Sequence, residues 1–146
     1  MTTATTAHLT TQSITRAAAV ELIAHARAAA TEIGVDMAIA VTDSAGHLRA
    51  FEAMDGAPFL AHTVAIDKAW TAAAYRLPTH VWTAVVQQPD TAQLAQIPRL
   101  VAVGGGYPIT VDGTVLGGLG LSGGNWEQDQ RAAEAALRAL GFDLPS

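Results

Sequence analysis

Gly104–Asp129 reads GGGYPITVDGTVLGGLGLSGGNWEQD, and the rest of the chain is organised around it. It parses as glycine loop, strand, tight turn, strand, glycine loop and helix start. Pro108 opens the first strand, where a missing N–H is tolerated. Asp112-Gly113 is a two-residue hairpin turn between Ile109-Thr110-Val111 and Thr114-Val115-Leu116. Gly117, Gly118 and Gly120 fall inside the second strand. Glycine there weakens a strand and marks a bulge or a close approach to the backbone. Ser122-Gly123-Gly124-Asn125 hands the strand to a helix, with Asn125 as cap and Gln128 as its capping-box partner.

A glycine loop feeding a helix N-terminus exposes N–H groups and the positive end of the helix dipole. Gly104, Gly105, Gly106, Ser122, Gly123 and Gly124 are therefore candidate ligand-binding residues for an anionic group. A capped packing joint without a ligand explains the same pattern, and both readings stand.

Downstream, the last helix runs from about Asn125 to Leu140, with Gly141 as its stop. Trp126, Ala133, Ala136, Leu137 and Leu140 define its expected buried face, and Glu127 faces solvent. Asp129 falls on the flank of the apolar face and in the first turn, where the dipole favours a carboxylate.

Upstream, Leu100–Val103 reads as a short apolar strand entering the glycine loop. Residues 77–98 are the least legible part: a break at Leu77-Pro78, a short helix from Thr79 through Val86, a connector, and one or two helical turns over Thr91–Ile97. The helix before them, about Pro58 to Tyr75, places Ala61, Val64, Ala65, Lys68, Ala72 and Tyr75 on one face at about 100° per residue. Ile66 and Trp70 lie opposite, so the helix is apolar nearly all round and is expected to be covered on both sides. A lysine on a small-residue face either finds a carboxylate or binds an anion. Lys68 and Asp129 are the candidate catalytic pair, expected in one polar cluster. An ion pair that fixes two elements is the structural alternative.

Met37, Ile39 and Val41 alternate with small residues in a first strand, and His47–Met54 returns as a second after the turn at Asp43–Gly46. Ser13–Ile33 is the first helix, with Ala19, Leu22, Ile23, Ala26, Ala30 and Ile33 as its stripe and Gly34 as its stop. Tight turns make the strand pairs antiparallel.

The block GGGYPITVDGTVLGGLGLSGGNWEQDQRAAEAAL, with VTDSAGHLRAF and MDGAP followed by AIDKAWTAAAY, resembles the GlcG/HbpS family, also called the haem-degrading or DUF336 domain. The resemblance covers nearly the whole chain. It implies an α/β fold of the α+β type: a profilin-like, five-stranded antiparallel sheet with helices packed on it, in one domain at residues 11–146 after a disordered start at 1–10. It also implies homo-oligomers and haem or a related tetrapyrrole as ligand, with haem breakdown or sensing as associated roles. Haem needs an apolar slot, often an axial histidine, and cations for its propionates. The chain offers His8, His25, His47, His62 and His80, and no spacing picks a ligand among them; His25 and His62 are carried forward as candidates. The chain departs from the family at Ala53, where arginine often precedes the Met-Asp-Gly block, which implies a changed pocket.

Composition narrows the classes. The 146 residues are half hydrophobic and only 14 % charged, against an average of about 25 %. Together with the two-sided second helix, this predicts a homo-oligomer. Net charge −5 and the lack of a basic stripe argue against nucleic acid as partner. Cysteine is absent, so disulfides, thiol catalysis and zinc–thiolate sites are excluded. No signal-peptide pattern or segment of about 20 apolar residues is seen. A cytoplasmic protein without a membrane partner is the expectation. Besides haem binding, the residues suit a cofactor-independent lyase, isomerase or cyclase on a small organic acid, with Lys68 and Asp129 as acid–base pair and the glycine loops as anion holders. A structural or sensory oligomer is the third reading.

Overall fold

The computed structural model describes residues 3–145. In chain order they form α1 (Arg16–Ile33), β1 (Ala38–Asp43), β2 (Leu48–Ala53), α2 (Phe59–Tyr75), α3 (Thr79–Gln87), a short 3₁₀ turn (Ala92–Gln96), β3 (Gly106–Val111), β4 (Thr114–Ser122) and α4 (Trp126–Ala139). The strands make one antiparallel sheet in the order β2-β1-β4-β3. Of the start expected to be disordered at 1–10, residues 1–2 lie outside the described residues. Residues 3–10 are exposed and carry neither helix nor strand.

The sheet has four strands among the described residues, not five. The strand expected at Leu100–Val103 does not form, because side-chain hydroxyls take its backbone groups instead. Thr71 Oγ1 accepts from Val101 N–H at 3.1 Å and lies 3.1 Å from the Arg99 carbonyl; Thr83 Oγ1 donates to the Ala102 carbonyl at 2.8 Å. The segment is thus tied to α2 and α3 and unavailable to β3.

The two faces of the sheet differ. From Met37 into β1, Met37, Ile39 and Val41 point to one side and Ala38 and Ala40 to the other, as the period of two requires. Along β4, Leu119 and Leu121 join the large side chains. That side carries the main core with α1 and α4: Leu22, Ile23, Ala26, Ala133, Ala136 and Leu137 are buried there. On the other side Ala61, Ala65 and Ala69 of α2 meet the small residues. A Cβ on Gly118 would stand 2.0 Å from the Ala69 carbonyl oxygen, and one on Gly120 2.1 Å from that of Ala65. The in-strand glycines mark a close approach, and the approaching backbone is α2.

The helix ends follow local rules. Thr15 caps α1 by accepting from Ala18 N–H, and Gly34 ends it in the left-handed conformation at φ 89°. The helix starts at Arg16 rather than Ser13, because the Ser13 hydroxyl is turned to the Leu116 carbonyl and the Ser44 N–H. Asn125 and Gln128 form the expected capping box on α4. Two side chains depart from the helical wheels. Trp126 is 50 % exposed and Tyr75 65 % exposed. Each lies at a helix end, past the edge of the layer its face covers.

Candidate functional site

Lys68 and Asp129 meet. Nζ of Lys68 donates to Asp129 Oδ2 at 3.0 Å and to the Leu121 carbonyl at 2.9 Å, and both side chains are 3 % exposed. Asp129 Oδ1 accepts from Gly124 N–H at 2.9 Å. The pair links α2, the end of β4 and the first turn of α4 across the sheet's end. Lys68 can cross because its neighbours are alanine and glycine. Its stem leaves α2 on the face that Ala61, Ala65, Ala69 and Ala72 bring against the strands.

Burial dominates the electrostatics. It pushes the Lys68 ammonium below its usual range, and the Asp129 charge only partly reverses this. It pushes the Asp129 carboxyl up, with Lys68 and the Gly124 N–H pulling the other way. Lys68 is the chain's only lysine.

The glycine loops close over this pair. A Cβ on Gly105 would lie 2.7 Å from the Leu121 carbonyl oxygen, 2.8 Å from Lys68 Nζ and 2.9 Å from Asp129 Cβ. One on Gly106 would meet Thr79 and the Lys68 carbonyl, and Thr79 Oγ1 accepts from Gly106 N–H at 2.8 Å. Thr79 is thus spent on the glycine loop rather than on capping α3, which Pro78 precedes without a side-chain cap. One on Gly123 would press on the Asp36 carbonyl. The anion cradle expected at the start of α4 is filled by the chain itself. Gly124 N–H serves Asp129, Asn125 N–H serves Gln128, and Gln128 N–H serves Asn125. Of the six candidate ligand-binding residues, Gly105 and Gly124 lie against the ion pair and Gly106 against the Lys68 backbone, while Gly104 faces Trp126, Gln130 and His80, and Gly123 faces Asp36.

The two candidate histidines are not brought together. His25 is exposed on α1, in the layer on the far side of the sheet. His62 is half-buried on the flank of α2, edge-on to Phe51 of β2 with ring centroids 5.6 Å apart. Its ring makes no hydrogen bond among the described residues. Phe59 and Leu60, at the start of the same helix, are 89 % and 69 % exposed, and Phe51 is 37 % exposed. Arg49 is the residue left out of the β1–β2 register at its irregularity, two positions from Phe51. Ala53 pairs with Ala38 at the other end of the strand.

Sequence reasoning passed over Phe51, Phe59 and Arg49. The signal was present: Phe51 alternates with Ala53 on a strand next to an apolar helix start. It also passed over a polar cluster on the edge strand. Tyr107 donates to Glu134 at 2.5 Å, Gln130 Nε2 donates to the same oxygen at 3.1 Å, and the Tyr107 hydroxyl is held neutral well above its usual range by burial and Glu134. Among the described residues no group of three or more acids and histidines is placed to hold a metal ion. No described helix is long and apolar enough to cross a membrane.

The family described as haem degrading protein HbpS-like matches residues 14–138. The 15.0 kDa protein of the dhaT-dhaS intergenic region of Citrobacter freundii is 38 % identical over 128 residues, which span 86 % of this chain and 90 % of that one. The crystal structure of Klebsiella pneumoniae ORFY, a DUF336 protein, superposes with TM-score 0.88 at 33 % identity, covering 95 % of this chain and 98 % of that one. PduOC, crystallised as a haem complex, superposes with TM-score 0.84 at 30 % identity, covering 92 % and 99 %.

Proposed function

This chain belongs to the HbpS-like family, and we propose that it binds haem or a closely related tetrapyrrole on the flank between α2 and β2. The observation that carries this reading is His62, free of hydrogen bonds and set edge-on against Phe51, on the helix that begins with exposed Phe59 and Leu60. The haem complex of PduOC supports it. The residues fit the group: an imidazole for the iron, Phe51 and Phe59 for the macrocycle, and Arg49 as the cation for a propionate. Arg49 stands on the same strand as Ala53, where the family often has its arginine. When bound, haem supplies an iron centre whose reactivity is set by its axial ligand and by the polarity around it.

The protein's own part is to ligate, to orient and to exclude water. A free monomer leaves Phe59 and Leu60 in solvent, so the same reading makes the protein a homo-oligomer with this helix start at a contact between copies. A cytoplasmic location is part of the same proposal. Haemin titration tests the reading. A saturable, shifted Soret band is expected, lost in His62→Ala and kept in His25→Ala. An unchanged band in His62→Ala overturns the assignment. A monomeric mass in light scattering overturns the oligomer.

The Lys68–Asp129 pair favours a second reading, an acid–base pair whose members are driven toward each other's range by burial. Such a pair works only if the Gly104–Gly106 loop opens, because Gly105 lies against Nζ. As the only lysine, Lys68 reports this directly. Modification by an amine-reactive reagent in native buffer, located by mass spectrometry, supports a catalytic pair. Protection until global unfolding leaves it structural.

A further inference from the structure

The largest of the described cavities, about 620 Å³, lies at the opposite end of α2 from His62. Its walls are the N-terminal arm at residues 10–12, the turn between β1 and β2, the C-terminal end of α2 and the turn between β3 and β4. The arm is held there by backbone and hydroxyl bonds. Ile14 N–H donates to the Leu116 carbonyl at 2.9 Å, and Ser13 Oγ accepts from Ser44 N–H at 3.0 Å. A volume of this size falls within the range of small-molecule sites, about 300–1,000 Å³.

Its chemistry is specific. Arg76 is the only charged residue in the lining, and it makes no ion pair or hydrogen bond among the described residues. The clefts that hold the chain's other lining arginines differ. Arg131 and Arg138 share theirs with Glu32 and Glu134, and Arg27 shares its own with Asp36, Glu52 and Asp55. Arg76 also borders a neighbouring cleft that contains Asp143, without an ion pair between them, but in a chain of net charge −5 this cavity itself has a guanidinium and no lining carboxylate. Asp43, at the turn between β1 and β2, is already engaged by the N–H groups of Ala45 and His47. Hydroxyl-bearing Thr10, Thr11, Ser44 and Thr114 and the indole of Trp70 complete the polar lining. Arg76 is also held at φ 59°, a left-handed conformation that disfavours a side chain. A glycine would suit that helix end better.

We propose that this cavity is a binding site for a small hydroxylated anion, a carboxylate or a phosphate ester, with Arg76 taking the acid group and the threonine and serine hydroxyls taking the ligand's hydroxyls. The site is separate from the α2–β2 flank and does not depend on haem. The guanidinium offers a forked pair of donors to either acid group. Trp70, with the Arg99 guanidinium carbon 4.7 Å from its ring centroid, forms one wall.

Calorimetric titration of the full, haem-free chain with glycerate, glycerol 3-phosphate, glycerol and inorganic phosphate tests this, with Trp fluorescence as a second readout. Saturable binding of glycerate or glycerol 3-phosphate is expected, with the preferred one identifying the acid group. Arg76→Gly removes the guanidinium while relieving the backbone, so it is expected to fold with an unchanged or raised Tm. It is expected to weaken binding at least about tenfold. His62→Ala is expected to leave this binding unchanged. No saturable binding of either hydroxylated anion up to about 10 mM overturns the proposal. So does equal affinity in Arg76→Gly, or glycerol binding as tightly as the anions. Inorganic phosphate binding as tightly as glycerol 3-phosphate overturns the role of the hydroxyls.

Discussion

The same two strands build both faces of the sheet, yet the faces are held by different physics. Toward α1 and α4, β1 and β4 present Met37, Ile39, Val41, Leu119 and Leu121, all fully buried. Toward α2 they present Ala38, Ala40, Gly118 and Gly120, and the helix replies with alanine. The first face is stabilised by apolar volume. The second is stabilised by proximity, with carbonyl oxygens of α2 where side chains of the strand would otherwise stand. Volume tolerates trimming at a graded cost; proximity tolerates no addition. This difference also explains the site, because only a face without bulk lets Lys68 reach across to Asp129.

The largest effect is expected where one methyl meets backbone. Gly118→Ala puts a Cβ 2.0 Å from the Ala69 oxygen and 2.9 Å from its carbonyl carbon, with no flexible atom to move aside. A cost above about 4 kcal/mol, or failure to fold, is expected in urea unfolding. Leu119→Ala, one residue on and facing the other way, is expected to cost about 3 kcal/mol through lost burial and a cavity. A Gly118→Ala variant more stable than Leu119→Ala would break the comparison, since α2 would then be free to lift off the sheet.

The ion pair sharpens it next. Asp129→Ala leaves the buried ammonium and the Gly124 N–H without a partner, and a cost of about 3–5 kcal/mol is expected. Lys68→Met is expected to cost less, because Asp129 can take a proton and still accept from Gly124. The pH dependences carry opposite signs. In Lys68→Met the folded carboxyl sits above its unfolded value of 3.8, so the folded state binds the extra proton and stability rises as pH falls toward 3.8. In Asp129→Ala the folded ammonium sits below 10.5, so the unfolded state binds the extra proton and stability rises as pH climbs toward 10.5. Each slope is at most about 1.4 kcal/mol per pH unit. Urea unfolding at several pH values, upward from just above 3.8 for Lys68→Met and downward from just below 10.5 for Asp129→Ala, measures both. Slopes of the same sign in the two variants would show that the pair is not desolvated as a unit.

The parts of this molecule that were legible in sequence are those with a local cause. The Asp112-Gly113 hairpin, the Asn125–Gln128 capping box and the Gly34 stop each need only neighbouring residues. The Lys68–Asp129 meeting was legible too, because two charges on apolar faces in a charge-poor chain have few partners. The missing fifth strand was not. Leu100–Val103 is apolar enough for a strand, and what diverts it is a pair of threonines, Thr71 and Thr83, from 30 and 19 residues away. The filled cradle at α4 was hidden for a similar reason. A glycine loop before a helix reads alike whether its N–H groups await a ligand or serve Asp129 and Gln128. His62 was visible as a histidine, but its partner Phe51 lies on another element, and no spacing links them.

The smallest expected effect isolates conformation from contact. Gly34→Ala makes the same chemical change as Gly118→Ala, at a position where a Cβ meets nothing within 4 Å. Gly34 sits at φ 89° after α1, and its N–H donates to the Ala30 carbonyl at 2.9 Å. Alanine there suffers only the left-handed penalty, about 1–2 kcal/mol. Part of that is offset, by about 0.4–1 kcal/mol, because alanine also restricts the unfolded chain. The net cost is expected to be about 1 kcal/mol, seen as a lower urea midpoint at an unchanged slope. Gly34→Asn should cost less still, since asparagine tolerates this conformation better. If Gly34→Ala cost as much as Gly118→Ala, the glycines of β4 would be explained by backbone freedom, and the close seating of α2 would not be what holds that face.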